Sequence, residues 1–156
     1  MHLNSSTFYA MQIMLYLSRN KGMVSSSELS SNLRISQRYI LKITKTLRKN
    51  GMIVAHMGAR GGYSLIKDAP DISVYDIIIV MEGFMSIPVS MEPLPGFEAP
   101  RVQSSLHDTI GHMKEYIESF LRAVTINKLA TLENDGGLQD TFDMVRSHID
   151  AIKQQN

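Results

Sequence analysis

The sequence predicts a mainly α-helical chain with a small β-hairpin wing, and three observations lead there. Three segments near the N-terminus carry apolar residues at helical spacing, with capping and stop residues between them. Two short β-prone segments follow, joined by the glycine-rich turn Met57-Gly58-Ala59-Arg60-Gly61-Gly62. Farther on, a long segment repeats apolar residues about every 3.5 positions, the spacing of a coiled-coil seam.

The first helix is expected over residues 5–19, where Phe8, Met11, Leu15 and the pair Met14 and Leu17 form one broad apolar face. Lys21-Gly22 ends it. Ser25 and Glu28 have capping-box spacing and start a second helix of about two turns, which buries Leu29 and Leu33. Arg34-Ile35-Ser36 makes a tight connection, and Ser36 can cap a third helix that runs to Lys49 and stops at Asn50-Gly51. Residues 52–56 and 63–66 read as the two strands. Helix, helix, helix, hairpin is the order of a winged helix-turn-helix.

After Pro70, residues 74–81 read as a fourth helix. The run Ile77-Ile78-Ile79-Val80 also suits a strand, but a cap at Ser73 and a stop at Glu82-Gly83 favour the helix. Pro88, Pro93, Pro95 and Pro100, four of the five prolines, exclude regular structure between them. A long helix is expected over 101–124, with a seam of Val102, Leu106, Thr109 or Ile110, Met113, Ile117, Phe120 and Val124. Thr125 can cap a short helix over 126–132, and a last amphipathic helix is expected over 139–153. This divides the chain into a winged helix-turn-helix domain at 1–83, a proline-rich linker loop at 84–100 and a helical dimerisation region at 101–156.

Net charge conceals a split along the chain. Between Met1 and Lys67 ten basic residues face one acid, Glu28, a balance of +9, whereas the remainder carries −8. A basic half of this kind suits a polyanionic partner. No apolar run approaches the roughly 20 residues that span a bilayer, and residues 1–6 lack a secretory start. A cytoplasmic location without membrane attachment is therefore expected.

The third helix is the most informative element. Arg38, Lys42, Lys45 and Lys49 share one face, while Ile40, Ile43 and Leu47 lie on another and are available to the core. Such a helix fits the major groove of double-stranded DNA, with Ser36, Gln37, Arg38 and Tyr39 at its leading end. Gln can pair with adenine and Arg with guanine, whereas Ser, Tyr, Lys42 and Lys45 suit phosphates. In the wing, Arg60 sits at the turn where it can enter a minor groove, and the amides of Gly61 and Gly62 can meet phosphate. The seam residues Leu106, Met113, Ile117, Phe120 and Val124 are the candidate dimerisation contacts.

Several motifs together resemble one family. The run Gly58-Ala59-Arg60-Gly61-Gly62-Tyr63-Ser64-Leu65, then Pro70, Ile72 and the 74–83 segment, is similar to the wing and following helix of the Rrf-type repressors, the IscR, NsrR and CymR group. Tyr9-Ala10, Ser36, Tyr39-Ile40 and Leu47-Arg48-Lys49-Asn50-Gly51 match its helix-turn-helix, and Val124-Thr125-Ile126 with Leu129 resemble the end of its dimerisation region. The resemblance covers residues 1–132. It implies a homodimer on a near-palindromic operator, with the long helices crossing between subunits.

One departure bears on cofactors. Many members of that family hold an iron–sulfur cluster on three cysteines before the long helix, and this sequence has no cysteine. His107 falls near a position where some members use histidine, but without thiolate companions. His107 and His112 are five apart and diverge on a helix, and His2, His56 and His148 are scattered, so no metal site is expected. No cofactor is expected either. Met81, Met85, Met91 and Met113, with Phe84 and Phe97, suit either core packing or an adaptable effector pocket. The effector, small molecule or protein, is left open.

Without a cysteine nucleophile, a phosphate-binding loop, a convincing carboxylate pair or a metal triad, catalysis is not expected. The rival is a winged-helix module that binds a partner protein. Such modules usually lose the basic face that this sequence keeps.

Overall fold

In the computed structural model the described residues are 3–20, 22–58, 61–66, 72–83 and 101–131, with the side chains of 101–104, 106 and 107 left aside. They form α1 (Ser5–Arg19), α2 (Ser26–Leu33), α3 (Gln37–Lys49), β1 (Ile53–His56), β2 (Gly62–Leu65), α4 (Val74–Glu82), α5 (Arg101–Ala123) and α6 (Ile126–Thr131). The two strands pair antiparallel, from Ile53 opposite Leu65 to His56 opposite Gly62. The mainly helical winged helix-turn-helix is as expected, and 74–82 is helical. The expected helix at 139–153 and the proline-rich segment at 84–100 lie outside the described residues.

The face α1 buries is Thr7, Ala10, Ile13, Met14 and Leu17. Met14 and Leu17 are on it as expected, whereas Phe8 is 58% exposed, and Met11 and Leu15 are half-buried. The small residues Thr7 and Ala10 occupy the inward positions, and an apolar pattern gives little weight to either. Thr7 is fully buried, and its hydroxyl donates to the Glu82 carboxylate at the end of α4. The same carboxylate accepts from the Asn4 backbone N–H at 2.9 Å, and the Asn4 side chain makes no cap of its own. A tertiary acid thus satisfies a free amide at the positive end of α1.

The caps follow the sequence in part. Ser25 accepts from the Glu28 amide at 3.1 Å, but the reciprocal half of that capping box is missing. Glu28 accepts instead from the Tyr16 hydroxyl at 3.2 Å. Local desolvation, then the bond to Glu28 and its charge, raise the Tyr16 phenol above its ordinary value. The full capping box is at α4, where Ser73 and Asp76 serve each other's amides.

Two connected clusters hold the body together. Ala10, Ile13, Met14 and Leu17 of α1 meet Leu29, Ile35, Ile40, Ile43, Leu47, Ile53, Ile77 and Ile126 in the main core. Val74 and Ile78 of α4 pack with Val124 in the second, against half-buried Ile117 and Phe120 of α5. The chain after α5 is bound back into the winged body. The Val74 amide donates to Val124 O and the Ile126 amide to Ile72 O, both at 2.9 Å. Residues 124–131, expected within the dimerisation region, therefore also complete the core. No helix among the described residues is long and apolar enough to cross a membrane.

Candidate nucleic-acid interface

The turn into α3 is made by Arg34 at φ 55°, the one non-glycine residue with positive φ among those described. This left-handed residue closes α2 and redirects the chain, a turn reinforced by Ser30 Oγ donating to Ile35 O at 2.6 Å. Ser36 stands at the N-cap of α3 as expected, but its side chain accepts no capping bond. Its backbone oxygen takes the Tyr39 and Ile40 amides at 2.9 and 3.0 Å, and its exposed hydroxyl remains free among the described residues.

Ile40, Ile43, Thr44 and Leu47 form the buried side of α3, with the Thr44 hydroxyl satisfied by Ile40 O at 2.9 Å. Gln37, Arg38, Leu41, Lys42, Lys45, Arg48 and Lys49 are exposed. Arg38, Lys45, Arg48 and Lys49 have no hydrogen-bond or ion-pair partner among the described residues. The helix contains no acid. Unneutralised cations in one stripe are costly beside each other and favourable beside a polyanion.

Two predicted contacts are partly committed within the chain. Tyr39 is half-buried, edge-on to Tyr9 at 5.7 Å between ring centroids, with the Lys42 ammonium 5.8 Å from its ring. Gln37 Nε2 donates to Ser26 Oγ at 3.1 Å, which ties the leading end of α3 to α2. Both hold the helix in place, and neither is as free as the sequence implies.

The hairpin springs directly from α3, with the Met52 amide on Leu47 O at 3.0 Å. Val24 and Tyr63 exchange both backbone bonds. Tyr63 thus turns its polar groups toward Val24, and alternation turns those of Gly62 toward β1. The Gly61 amide donates to Gly58 O at 2.9 Å. The glycine amides are therefore occupied by the wing itself, a correction to the expectation that they stand ready for phosphate. Both glycines are sterically required, since a Cβ on Gly61 would collide with His56 O and one on Gly62 would come within 2.5 Å of Val24 O. Arg60 lies outside the described residues. Met57, at the start of the turn, is 93% exposed.

The predicted seam divides along α5. Val124 is 5% exposed and belongs to the chain's own second core, which corrects its assignment as a dimerisation contact. Ile117 and Phe120 are half-buried against that same core, and the Arg122 guanidinium sits 3.6 Å from the centre of the Tyr75 ring. Met113, one turn earlier than Ile117, is 46% exposed. The Leu106 side chain lies outside the described residues, as do Met85, Met91, Phe84 and Phe97. Met81 packs half-buried against the main core.

Leu41 and Arg48 were not placed on the basic face from the sequence, nor was Arg34 expected to be left-handed. A helical wheel with steps of about 100° would have placed the first two on the basic face. Nothing in the sequence marks the left-handed Arg34.

Residues 3–132 match the family model described as Rrf2, "Iron-dependent Transcriptional regulator". The putative HTH-type transcriptional regulator YffB of Lactococcus lactis is 39% identical over 75 residues, 48% of this chain and 47% of that protein, so the match spans about half the length of that relative. The HTH-type transcriptional regulator IscR of Escherichia coli (strain HS) is 29% identical over 158 residues, covering 97% of this chain and 96% of that protein. The crystal structure of oxidised Staphylococcus aureus CymR superposes with a TM-score of 0.63 at 26% identity, over 83% of this chain and 96% of that one. The donor set does not fit a thiolate-ligated iron centre of the kind some members carry. The sequence has no cysteine, and the described residues bring no three metal-binding side chains together. With the family model spanning the six described helices and the hairpin, this chain belongs to the Rrf2 family of transcriptional regulators.

Proposed function

We propose that the chain acts as a homodimeric, sequence-specific DNA-binding regulator, a repressor at a near-palindromic operator. Arg38, Lys42 and Lys45 of α3 enter the major groove with Ser36 and Gln37 leading, and Arg60 of the wing reaches the adjacent minor groove. The observation that carries this reading is the exposed stripe of cations on α3, without an ion-pair partner among the described residues and backed by a buried apolar stripe. The stripe also weighs against a protein-binding module, for which a row of unpaired like charges is a handicap. The free turns of α5 around Met113 supply the contact between protomers, and the signal is one that needs no thiolate-held cluster.

Selection of bound fragments from genomic DNA tests this directly. Recovered fragments should share an inverted repeat whose half-site centres lie about 34–36 Å apart, or a multiple of that. Two chains should sediment with each duplex, and Arg60→Ala should weaken binding sharply. No enrichment over input DNA at low ionic strength would refute the reading.

A further inference from the structure

We propose that Leu41 reads sequence by packing its side chain on the 5-methyl group of a thymine in the major groove. This rests on the DNA-binding reading above and adds to it a base preference and the residue that imposes it.

Leu41 does not serve the core. Ile40, Ile43 and Leu47 fill the buried side of α3 at no more than 1% exposure, whereas Leu41 is 48% exposed. Its neighbours one turn away are Arg38 and Gln37 toward the N-terminus and Lys45 toward the C-terminus, all exposed. A single apolar side chain on a surface is ordinary. Set among unpaired cations in the second turn of a helix that leads into DNA, it has a narrower meaning.

The cations commit this face to a nucleic acid, and a phosphate offers leucine no favourable contact. Within the major groove the thymine methyl is the apolar group on the base edges. Leucine at this height of the helix is near the residues that reach base edges, ahead of the later turns that run past the backbone. The neighbouring cations Arg38, Lys42 and Lys45 draw in phosphates, which brings the groove against Leu41 and removes water from both apolar surfaces. A protein partner seated here would have to bury the adjacent Arg38, Lys42 and Lys45 beside an isolated leucine, with no apolar neighbour exposed on α3 to repay their desolvation.

Thymine-to-deoxyuridine replacement isolates this contact, because it removes one methyl and no hydrogen-bonding group. Each thymine of a duplex recovered by selection is replaced in turn, and the affinities of the full chain and of Leu41→Ala are measured by fluorescence anisotropy. One thymine position per half-site should prove sensitive. Its replacement should cost the unaltered chain about fourfold, and roughly fifteenfold when both half-sites are changed. Leu41→Ala should bind the thymine duplex correspondingly less well and be indifferent to the replacement. Fragment selection with Leu41→Gln, which leaves the cations in place, should recover a motif altered at that position alone. Tight binding insensitive to every replacement, or sensitivity retained by Leu41→Ala, would overturn the assignment of Leu41 while leaving DNA binding intact. Failure to bind any duplex would overturn both.

Discussion

Val24 and Tyr63 exchange both of their backbone hydrogen bonds, at 2.9 and 2.8 Å, so the segment ahead of α2 forms a third rail beside the wing. This pairing puts Val24 O directly over Gly62, where an added Cβ would sit 2.5 Å away. The obstruction is backbone and cannot swing aside as a side chain would. Gly62→Ala should therefore destabilise the fold by about 1–3 kcal/mol, read as a lower urea midpoint. An unchanged midpoint would show that the wing and the Val24 segment are not so paired.

The Glu82 carboxylate is the corresponding tie at the other end of α1. Glu82→Ala leaves the buried Thr7 hydroxyl without that acceptor and should cost about 1–3 kcal/mol. Adding Thr7→Val removes the stranded donor and should recover part of the loss. Strict additivity in this double-mutant cycle would mean that the two side chains do not interact.

Arg34 holds a left-handed conformation at φ 55°, and a side chain there costs about 1–2 kcal/mol. Glycine adopts it without that cost but gives up more chain entropy. The net expectation for Arg34→Gly is a gain of about 1 kcal/mol, or roughly 2–4 °C in Tm. A lower Tm would indicate that the Arg34 side chain supports the turn.

Core and seam separate along α5. Val124→Ala should destabilise the protomer by about 2 kcal/mol, because Val124 fills the chain's own second core. Met113→Glu should leave the protomer's stability nearly unchanged and shift sedimentation toward monomer. The opposite pattern would place the dimer contact at the end of the helix.

How much of this was legible depended on how local each cause was. The cap at Ser73, the stop at Asn50-Gly51 and the periodicity of α3 lie within a few residues of their effects, and the helices appear where those signals put them. Features set by distant partners were not legible. Glu28 was drawn off its own cap by Tyr16, twelve positions away, and the inward face of α1 is set by Thr7 and Glu82, 75 positions apart. Heptad spacing likewise marked Val124 as apolar and periodic without revealing that α4, rather than a second protomer, covers it. For the interface the cationic stripe was legible because it follows helical spacing. The occupied glycine amides and the left-handed Arg34 emerged only from the folded chain.

The basic face of α3 is tested most directly by the salt dependence of operator binding. For Lys42→Ala/Lys45→Ala, two cations are lost from each of two protomers. At about 0.9 per phosphate contact, the slope of log affinity against log salt should become shallower by roughly three to four. Lys114→Ala, which removes only a surface partner of Glu118 at 3.9 Å on α5, should keep the original slope. A double variant whose slope matches that of the unaltered chain would contradict the placement of α3 against the DNA backbone.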